Sequence, residues 1–291
     1  MQIQFTGVDH LYMAKTPFQH LALNQVNLKI PSGSFTVIVG PTGSGKSTLV
    51  QHVNGLLHPT VGEVQVGAYR LTPKKDKHSL RALREAIGFL FQYPEHQLFE
   101  ETVEKEIIFG PMNFGVLKEE ARRRAQEVLP QVGLSTELLT HSPLNLSGGQ
   151  MRRVAIASIL AQHPKILILD EPAAGLDPEG RQRILDMLYT YHTKHKLTSI
   201  LVTHHMEDAL RFADYMVVMN KGSVYLSGKP DEVFGQASAI ESIGLELPET
   251  IRFMQQFKRA TNQDNVPFLK TRSEVVEHIA TYMSTSRGRL E

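Results

Sequence analysis

An ammonium and a hydroxyl stand side by side at the end of a glycine-rich turn, in V-I-V-G-P-T-G-S-G-K-S-T over residues 37–48. The spacing G-x-x-x-x-G-K-S, set between the apolar β-rich run SFTVIVG and the amphipathic stretch TLVQHVNG, is the strand–loop–helix order of a phosphate-binding loop. Glycines let successive backbone N–H groups turn inward on a β-phosphate, and the helix N-terminus adds favourable dipole. Gly40, Pro41, Thr42, Gly43, Ser44, Gly45, Lys46, Ser47 and Thr48 form this candidate nucleotide cradle. Lys46 is placed to reach the β- and γ-phosphates and Ser47 to ligate Mg²⁺. At average composition a chance match occurs on the order of 1% of the time in a chain of this length, before strand and helix flanks are required.

A second apolar strand, KILILDEP (165–172), ends in two carboxylates. Ligands of open α/β sheets sit at the carboxyl ends of strands. Asp170 is therefore expected at the Mg²⁺ and Glu171 beside the water that attacks the γ-phosphate. A third run, TSILVTHH (198–205), reads as a strand ending at His204 and His205. His204 is expected at the γ-phosphate. The two histidines, on opposite faces of a strand, are expected to make a poor metal pair.

A second glycine loop, LSGGQ at 146–150, precedes the helical stripe Val154, Ile156, Ala157, Ile159, Leu160. Ser147, Gly148, Gly149 and Gln150 thus lie at another helix start with free N–H groups, a second phosphate-binding device. The Lys46 loop already wraps its own nucleotide from one side. Two molecules paired head to tail, each closing the other's ATP, would use both devices.

The elements that position these residues are those of an α/β protein with a mostly parallel core sheet, the P-loop NTPase plan. Residues 3–33 and 61–88 alternate with Gly and Pro breaks and predict an antiparallel sheet beside the nucleotide. A helical subdomain is expected over about 93–147, and 1–235 as the ATPase domain. Within it LKEEARRRAQEVLPQVG reads as a charged surface helix whose arginine run is a solvated face. EGRQRILDMLYTYHTKHK predicts a helix burying Ile184, Leu185, Leu188 and Tyr191, and YMVVMNKGSVYLSG a hairpin turning at Asn220-Lys221-Gly222. Residues 236–291 predict a small accessory element of two helical patches, ETIRFMQQFK and SEVVEHIATYMST, around the polar linker TNQDNVP.

Lys and Arg (31) nearly balance Asp and Glu (30), so no nucleic-acid partner is expected from charge. The absence of cysteine excludes disulfides, thiolate metal sites and cysteine nucleophiles. No signal peptide is read at the N-terminus, and no apolar run approaches the roughly 18 residues of a membrane span. Any membrane role is expected to come through a partner.

GPTGSGKST, Gln92, LSGGQ, ILILDEP, GLDP and the histidine of VTHH occur in the order found in ATP-binding cassette (ABC) ATPases, which residues 3–235 resemble. The resemblance implies ATP and Mg²⁺ as ligands and LSGGQ acting in trans across a nucleotide-sandwich dimer. It implies that Gln92 links Mg²⁺ and water to the transmission region, that Asp177 communicates across the dimer, and that Tyr12 stacks on adenine, with Phe18 the rival in the longer loop KTPFQH. The wording QYPEHQLFEETV, HSPLNLSGGQMRRVAIA and SIGLELPETIRF is similar to the energy-coupling factor (ECF) class of vitamin and metal-ion importers, most like the second of its two ATPase types. That resemblance implies a heterodimer with a second, related ATPase. It further implies a transmembrane coupling protein, exchangeable substrate-binding membrane proteins, and a peripheral location on the cytoplasmic face. On residue type alone PEHQLFEETV is an ordinary helix start with Glu100, Glu101 and Glu104 in an acidic first turn.

Overall fold

The computed structural model describes residues 1–74, 77–261 and 266–287. Strands β1 (Ile3–Tyr12) and β2 (His20–Ile30) pair antiparallel. Their inward residues Ile3, Phe5, Val8, Leu23, Val26 and Ile30 are buried, the alternation expected of a sheet with one covered face. Strand β3 (Phe35–Val39) runs into the phosphate turn and helix α1 (Lys46–Val53). Strands β4 (Val61–Val66) and β5 (Tyr69–Leu71) return to the first sheet, whose order is β2-β1-β4-β5. Helix α2 (Lys77–Glu85) and strand β6 (Ile87–Leu90) follow.

Helices α3 (Val103–Asn113), α4 (Lys118–Gln131) and α5 (Gly148–Leu160) pack together, and β7 (Ile166–Asp170) re-enters the core. Beyond it lie α6 (Pro178–His195), β8 (Thr198–Val202), α7 (Met206–Phe212) and the hairpin β9 (Tyr215–Asn220), β10 (Ser223–Gly228). The second sheet has the order β10-β9-β3-β8-β7-β6, parallel except for β10. Every residue of β3, β6, β7 and β8 is buried, because both faces of the sheet are covered. The β1-β2-β4 sheet and α1 pack on one face, and α3–α7 on the other. The parallel alignment of β3, β7 and β8 delivers the ends of three strands to one edge.

The chain departs from the sequence expectation at 77–88, residues 75 and 76 of the expected sheet lying outside the described residues. This stretch does not continue the antiparallel sheet: it forms α2 and then β6, which pairs parallel with β7. Leu80 and Leu83, three residues apart, pack under Gly55 as a helical pair, and the four-residue run Ile87–Leu90 is buried on both faces. The expected hairpin is present, Ser223 opposing Asn220 across Lys221-Gly222 with φ of 47° and 80°, the left-handed pair a tight two-residue turn demands. Ile184, Leu185, Leu188 and Tyr191 are buried on α6. The arginines of α4 pair with Glu104, Glu119, Glu120 and Glu127, so that run is a neutralised surface.

Helix α3 begins at Val103, not at Glu100, because the Thr102 hydroxyl caps it by accepting from the Lys105 N–H at 3.2 Å. Only Glu104 and Glu106 lie in its first turn, and Glu106 turns back to accept from the N–H groups of Phe99 and Glu100. After β10 come the short helices α8 (Pro230–Phe234) and α9 (Ala237–Ser242), then α10 (Glu249–Thr261) and α11 (Arg272–Arg287), which pack on each other. Residues 262–265 of the expected linker lie outside the described residues. Among the described residues no helix is long and apolar enough to cross a membrane.

Candidate active site

The phosphate loop is held tightly against its surroundings. Gly45 has φ +97° and lies so close to β2 that a Cβ there would stand 2.6 Å from the Ala22 carbonyl oxygen. Gly43, at φ +78°, faces open space. Lys46 is buried and its Nζ donates to the carbonyls of Gly40 (2.8 Å) and Pro41 (2.9 Å). The Ser44 hydroxyl is buried and has no hydrogen-bond partner among the described residues. An orphaned buried hydroxyl beside a buried ammonium fits an oxygen-rich anionic ligand better than an apolar one.

Ser47 donates to Asp170 Oδ1 at 3.2 Å, joining the start of α1 to the end of β7. Burial lowers the Lys46 pKa, and Glu171 and Asp170 oppose it. Burial raises that of Asp170, helped by the nearby Glu171 and resisted by Ser47 and Lys46. Both groups are thus pulled from water in a site whose charge balance a polyphosphate and a divalent cation would complete. Among the described residues no group of three or more His, Asp or Glu side chains forms a metal cage. Two oxygens from Ser47 and Asp170 suit Mg²⁺, which keeps waters and takes phosphate oxygens instead of an all-protein shell.

Glu171 follows Asp170 in a left-handed conformation, φ +50°, with its N–H donated to the Val202 carbonyl at 3.1 Å. A non-glycine residue held there costs about 1–3 kcal/mol. Gln92 Nε2 donates to Glu171 Oε2 at 3.5 Å, and His204 Nδ1 lies 3.3 Å from Oε1. Three separate loops therefore converge on one carboxylate.

His204 and His205 correct the sequence expectation. Strand β8 ends at Val202, and the two imidazoles are not on opposite faces but lie 4.0 Å apart with a 36° tilt. The loop is fixed by Thr203, which donates to Asp208 (3.0 Å) and accepts from the His205 N–H (3.1 Å), while Arg181 pairs with Asp208. Burial lowers the His205 pKa, and Arg181 and His204 add to it.

Tyr12 ends β1 with its hydroxyl 3.3 Å from the Thr48 hydroxyl, whereas Phe18 is 79% exposed. Behind this contact His52 of α1 donates through Nδ1 to the Thr48 carbonyl (2.7 Å), and its Nε2 accepts from His10 Nδ1 (3.1 Å). His10 in turn packs edge-on against Tyr12. Burial, with the His10 contact adding to it, depresses the His52 pKa to about 4, against the opposing pull of the Thr48 carbonyl. His52 is therefore neutral when folded and protonates more readily when unfolded. Its contribution to stability is present above pH 6.5 and is lost as pH falls towards 4. The expected loss is roughly 3 kcal/mol. Urea denaturation at pH 7 and 4.5 measures it, and His52→Gln flattens the dependence.

Ser147, Gly148, Gly149 and Gln150 occupy the N-terminus of α5, exposed or partly so, and make no hydrogen bond to the Lys46 loop among the described residues. Ser147 accepts from the Gln150 N–H (3.3 Å) while its own N–H donates to Gln150 Oε1 (2.9 Å), a reciprocal cap. The S-x-x-Q spacing carried that signal. A Cβ on Gly148 or Gly149 would meet nothing within 4 Å, so this helix end is open outward. Asp177, exposed, precedes α6 without a side-chain capping bond.

The family model described as ABC transporter matches residues 23–174, so fold and site define an ATP-binding cassette. Relatives bearing the name Energy-coupling factor transporter ATP-binding protein EcfA2 occur in Geobacillus kaustophilus (52% identical) and Bacillus licheniformis (54% identical), each alignment covering 89% of both chains. The chain belongs to the energy-coupling factor branch of the ABC transporter ATPases. Among solved structures, cbiO1 from Clostridium perfringens, described as part of the ABC transporter complex cbiONQ, is 35% identical with a TM-score of 0.72 over 87% of this chain and 98% of that one. The ATP-binding cassette MJ0796, solved as a dimer in a post-hydrolysis state with ADP and Pi, is 33% identical with a TM-score of 0.69 over 78% and 98%.

Proposed function

We propose that this chain binds ATP with Mg²⁺ and hydrolyses it as one of two related ATPase subunits powering an ECF-type importer of vitamins or metal ions. The observation that carries this reading is the convergence of Gln92 and His204 on Glu171, next to the Ser47–Asp170 pair. The backbone of residues 40–48 and Lys46 hold the phosphates, and Tyr12 stacks on adenine. Ser47 and Asp170, with Gln92 nearby, would hold Mg²⁺, which when bound would neutralise phosphate charge. Glu171 accepts the proton of the attacking water, and His204 orients the γ-phosphate. Ser147, Gly148, Gly149 and Gln150 close the partner's nucleotide, supported by their outward-facing helix end and by the dimeric, ADP- and Pi-bound form of the MJ0796 cassette. Asp177, also exposed, relays between the two sites.

Residues 1–235 form the ATPase domain, with membrane partners docking on the helical subdomain over about 93–147. Residues 236–291 form an accessory element that holds the two ATPases together between cycles. The protein sits peripherally on the cytoplasmic face, borne by a transmembrane coupling protein and its exchangeable substrate-binding partners, without nucleic acid.

Affinity purification of the tagged chain from mild-detergent membrane extracts tests this. Recovery of a second, similar ATPase with a polytopic membrane protein is the expected result. Recovery of the chain alone, or with ribosomal or DNA-associated proteins, overturns the transport assignment while leaving the ATPase chemistry.

A further inference from the structure

Arg152 and Glu95 stand outside the nucleotide chemistry, yet they form the most thoroughly buried ion pair among the described residues, with side chains only 5% and 13% exposed. Arg152 Nε donates to Glu95 Oε2 at 2.9 Å and Nη2 to Oε1 at 2.5 Å, a two-pronged pairing. Its remaining nitrogen, Nη1, donates to the Ala174 carbonyl at 2.9 Å. Burial alone would raise the Glu95 carboxyl, but the guanidinium holds it below its ordinary value, so the pair is ionic. Buried ion pairs are poor devices for stability, since desolvation offsets most of the attraction. What a planar guanidinium supplies is fixed relative geometry, here among three segments at once.

Those three segments each carry a functional residue. Glu95 lies three residues after Gln92, in a short turn at Pro94–Gln97 that leads to the exposed, edge-on Phe99–Phe109 pair. Arg152 lies five residues after Ser147 on the same rigid helix, about 7.5 Å along its axis. Ala174 lies three residues after Glu171. Between them Tyr93, at φ +54°, presses its ring to within 3.3 Å of where a Cβ on Gly175 would stand. The stretch 92–95 thus reaches the Glu171 carboxylate through Gln92, Gly175 through Tyr93 and the S-G-G-Q helix through Glu95.

Resting on the transport reading above, we propose that the Glu95–Arg152 pair is the rigid link through which displacement of the membrane-docking surface moves the Ser147–Gly149 helix end. Both are positioning residues for coupling and touch no nucleotide. Without the link, motion of the Pro94–Gln97 turn is no longer passed in register to the S-G-G-Q helix: ATP still binds, but the membrane partner no longer sets the hydrolysis rate.

The test compares ATPase rates of the purified membrane assembly with those of the two ATPase subunits alone, for wild type, Glu95→Gln, Arg152→Lys and the double variant. Each single variant is expected to lower the assembly-to-free rate ratio at least about fivefold. The double variant should fall no further than either single, since one interaction is lost. The KM for ATP of the free subunits should change less than about twofold. An unchanged ratio, additive single effects, or equal slowing of free and assembled enzyme overturns the link and leaves a merely structural pair. Thermal melting monitors folding, and failure of both single variants to fold counts as the structural outcome. A wild-type assembly whose rate does not depend on its membrane partner overturns the transport reading itself, and the link with it.

Discussion

Glu171→Gln is expected to lower steady-state ATP turnover by at least about 10²–10³-fold, the range lost with a general base, while leaving ATP affinity within a few-fold of wild type. The substitution keeps side-chain length and an oxygen able to accept from Gln92 Nε2, so the 3.5 Å contact and the left-handed backbone survive. It removes the charge that a water proton would require. It also removes one of the influences holding the Asp170 pKa up, after burial itself, so Asp170 becomes the more fully ionised and Mg²⁺ retention is preserved. Binding without turnover should trap the closed, ATP-loaded dimer, visible as a nucleotide-dependent shift in size-exclusion chromatography. Turnover near wild type removes Glu171 from the role of base and leaves Gln92 and His204 converging on a carboxylate without chemistry.

How much of this site was legible depended on how local each part is. The phosphate loop could be read whole, because strand, glycines, Lys46 and helix are contiguous and each dictates the next. Strand β7 and its acidic end were equally plain, since an unbroken apolar run suits a strand covered on both faces. The errors lie where local pattern and tertiary pairing disagree. Alternation groups residues 77–88 with the antiparallel strands, but Leu83 is a core residue of a helix and Ile87–Leu90 an inner-sheet strand, and only pairing with β7 makes that distinction. TSILV running into His204 and His205 reads as strand throughout, yet the last ladder bond is that of the Thr203 N–H to the Ile38 carbonyl, after which the Thr203 hydroxyl, bonded to Asp208 and to the His205 N–H, holds the two histidines in a loop. The left-handed turn at Glu171 has no residue-type signal, glutamate being unusual there. Glu95 and Arg152, 57 residues apart, were invisible as a pair, since nothing in either neighbourhood announces the other. The sequence signal of the S-x-x-Q cap was present at Ser147–Gln150 but was absorbed into the phosphate reading; the same residues order the helix end and present it.

That double duty makes Ser147→Arg the sharper experiment on assembly. Within its own chain the change is local. It removes the hydroxyl that accepts from the Gln150 N–H, worth about 1 kcal/mol, and sets a cation at the positive end of α5, worth about 0.3–1 kcal/mol more. Neither effect reaches Lys46, which is anchored to the Gly40 and Pro41 carbonyls, since residues 147–150 make no hydrogen bond to that loop among the described residues. ATP binding by the altered chain is therefore expected to stay within about twofold of wild type by direct titration. Across a head-to-tail pair the consequence differs. The side chain projects from an outward-facing helix end where Gly148 and Gly149 leave no neighbour within 4 Å, into the space the partner's triphosphate must occupy. Hydrolysis in the partner's site should fall at least about 100-fold, comparable to losing a positioned donor at a developing charge. Pairing the altered chain with a sibling whose own base is intact, then with one whose base is removed, separates the two sites. In the trans arrangement the first pairing retains only the turnover of the altered chain's own site, and the second retains the same. Loss of ATP binding by the altered chain itself would mean that the second glycine loop folds back on its own nucleotide, and the sandwich would have to be abandoned.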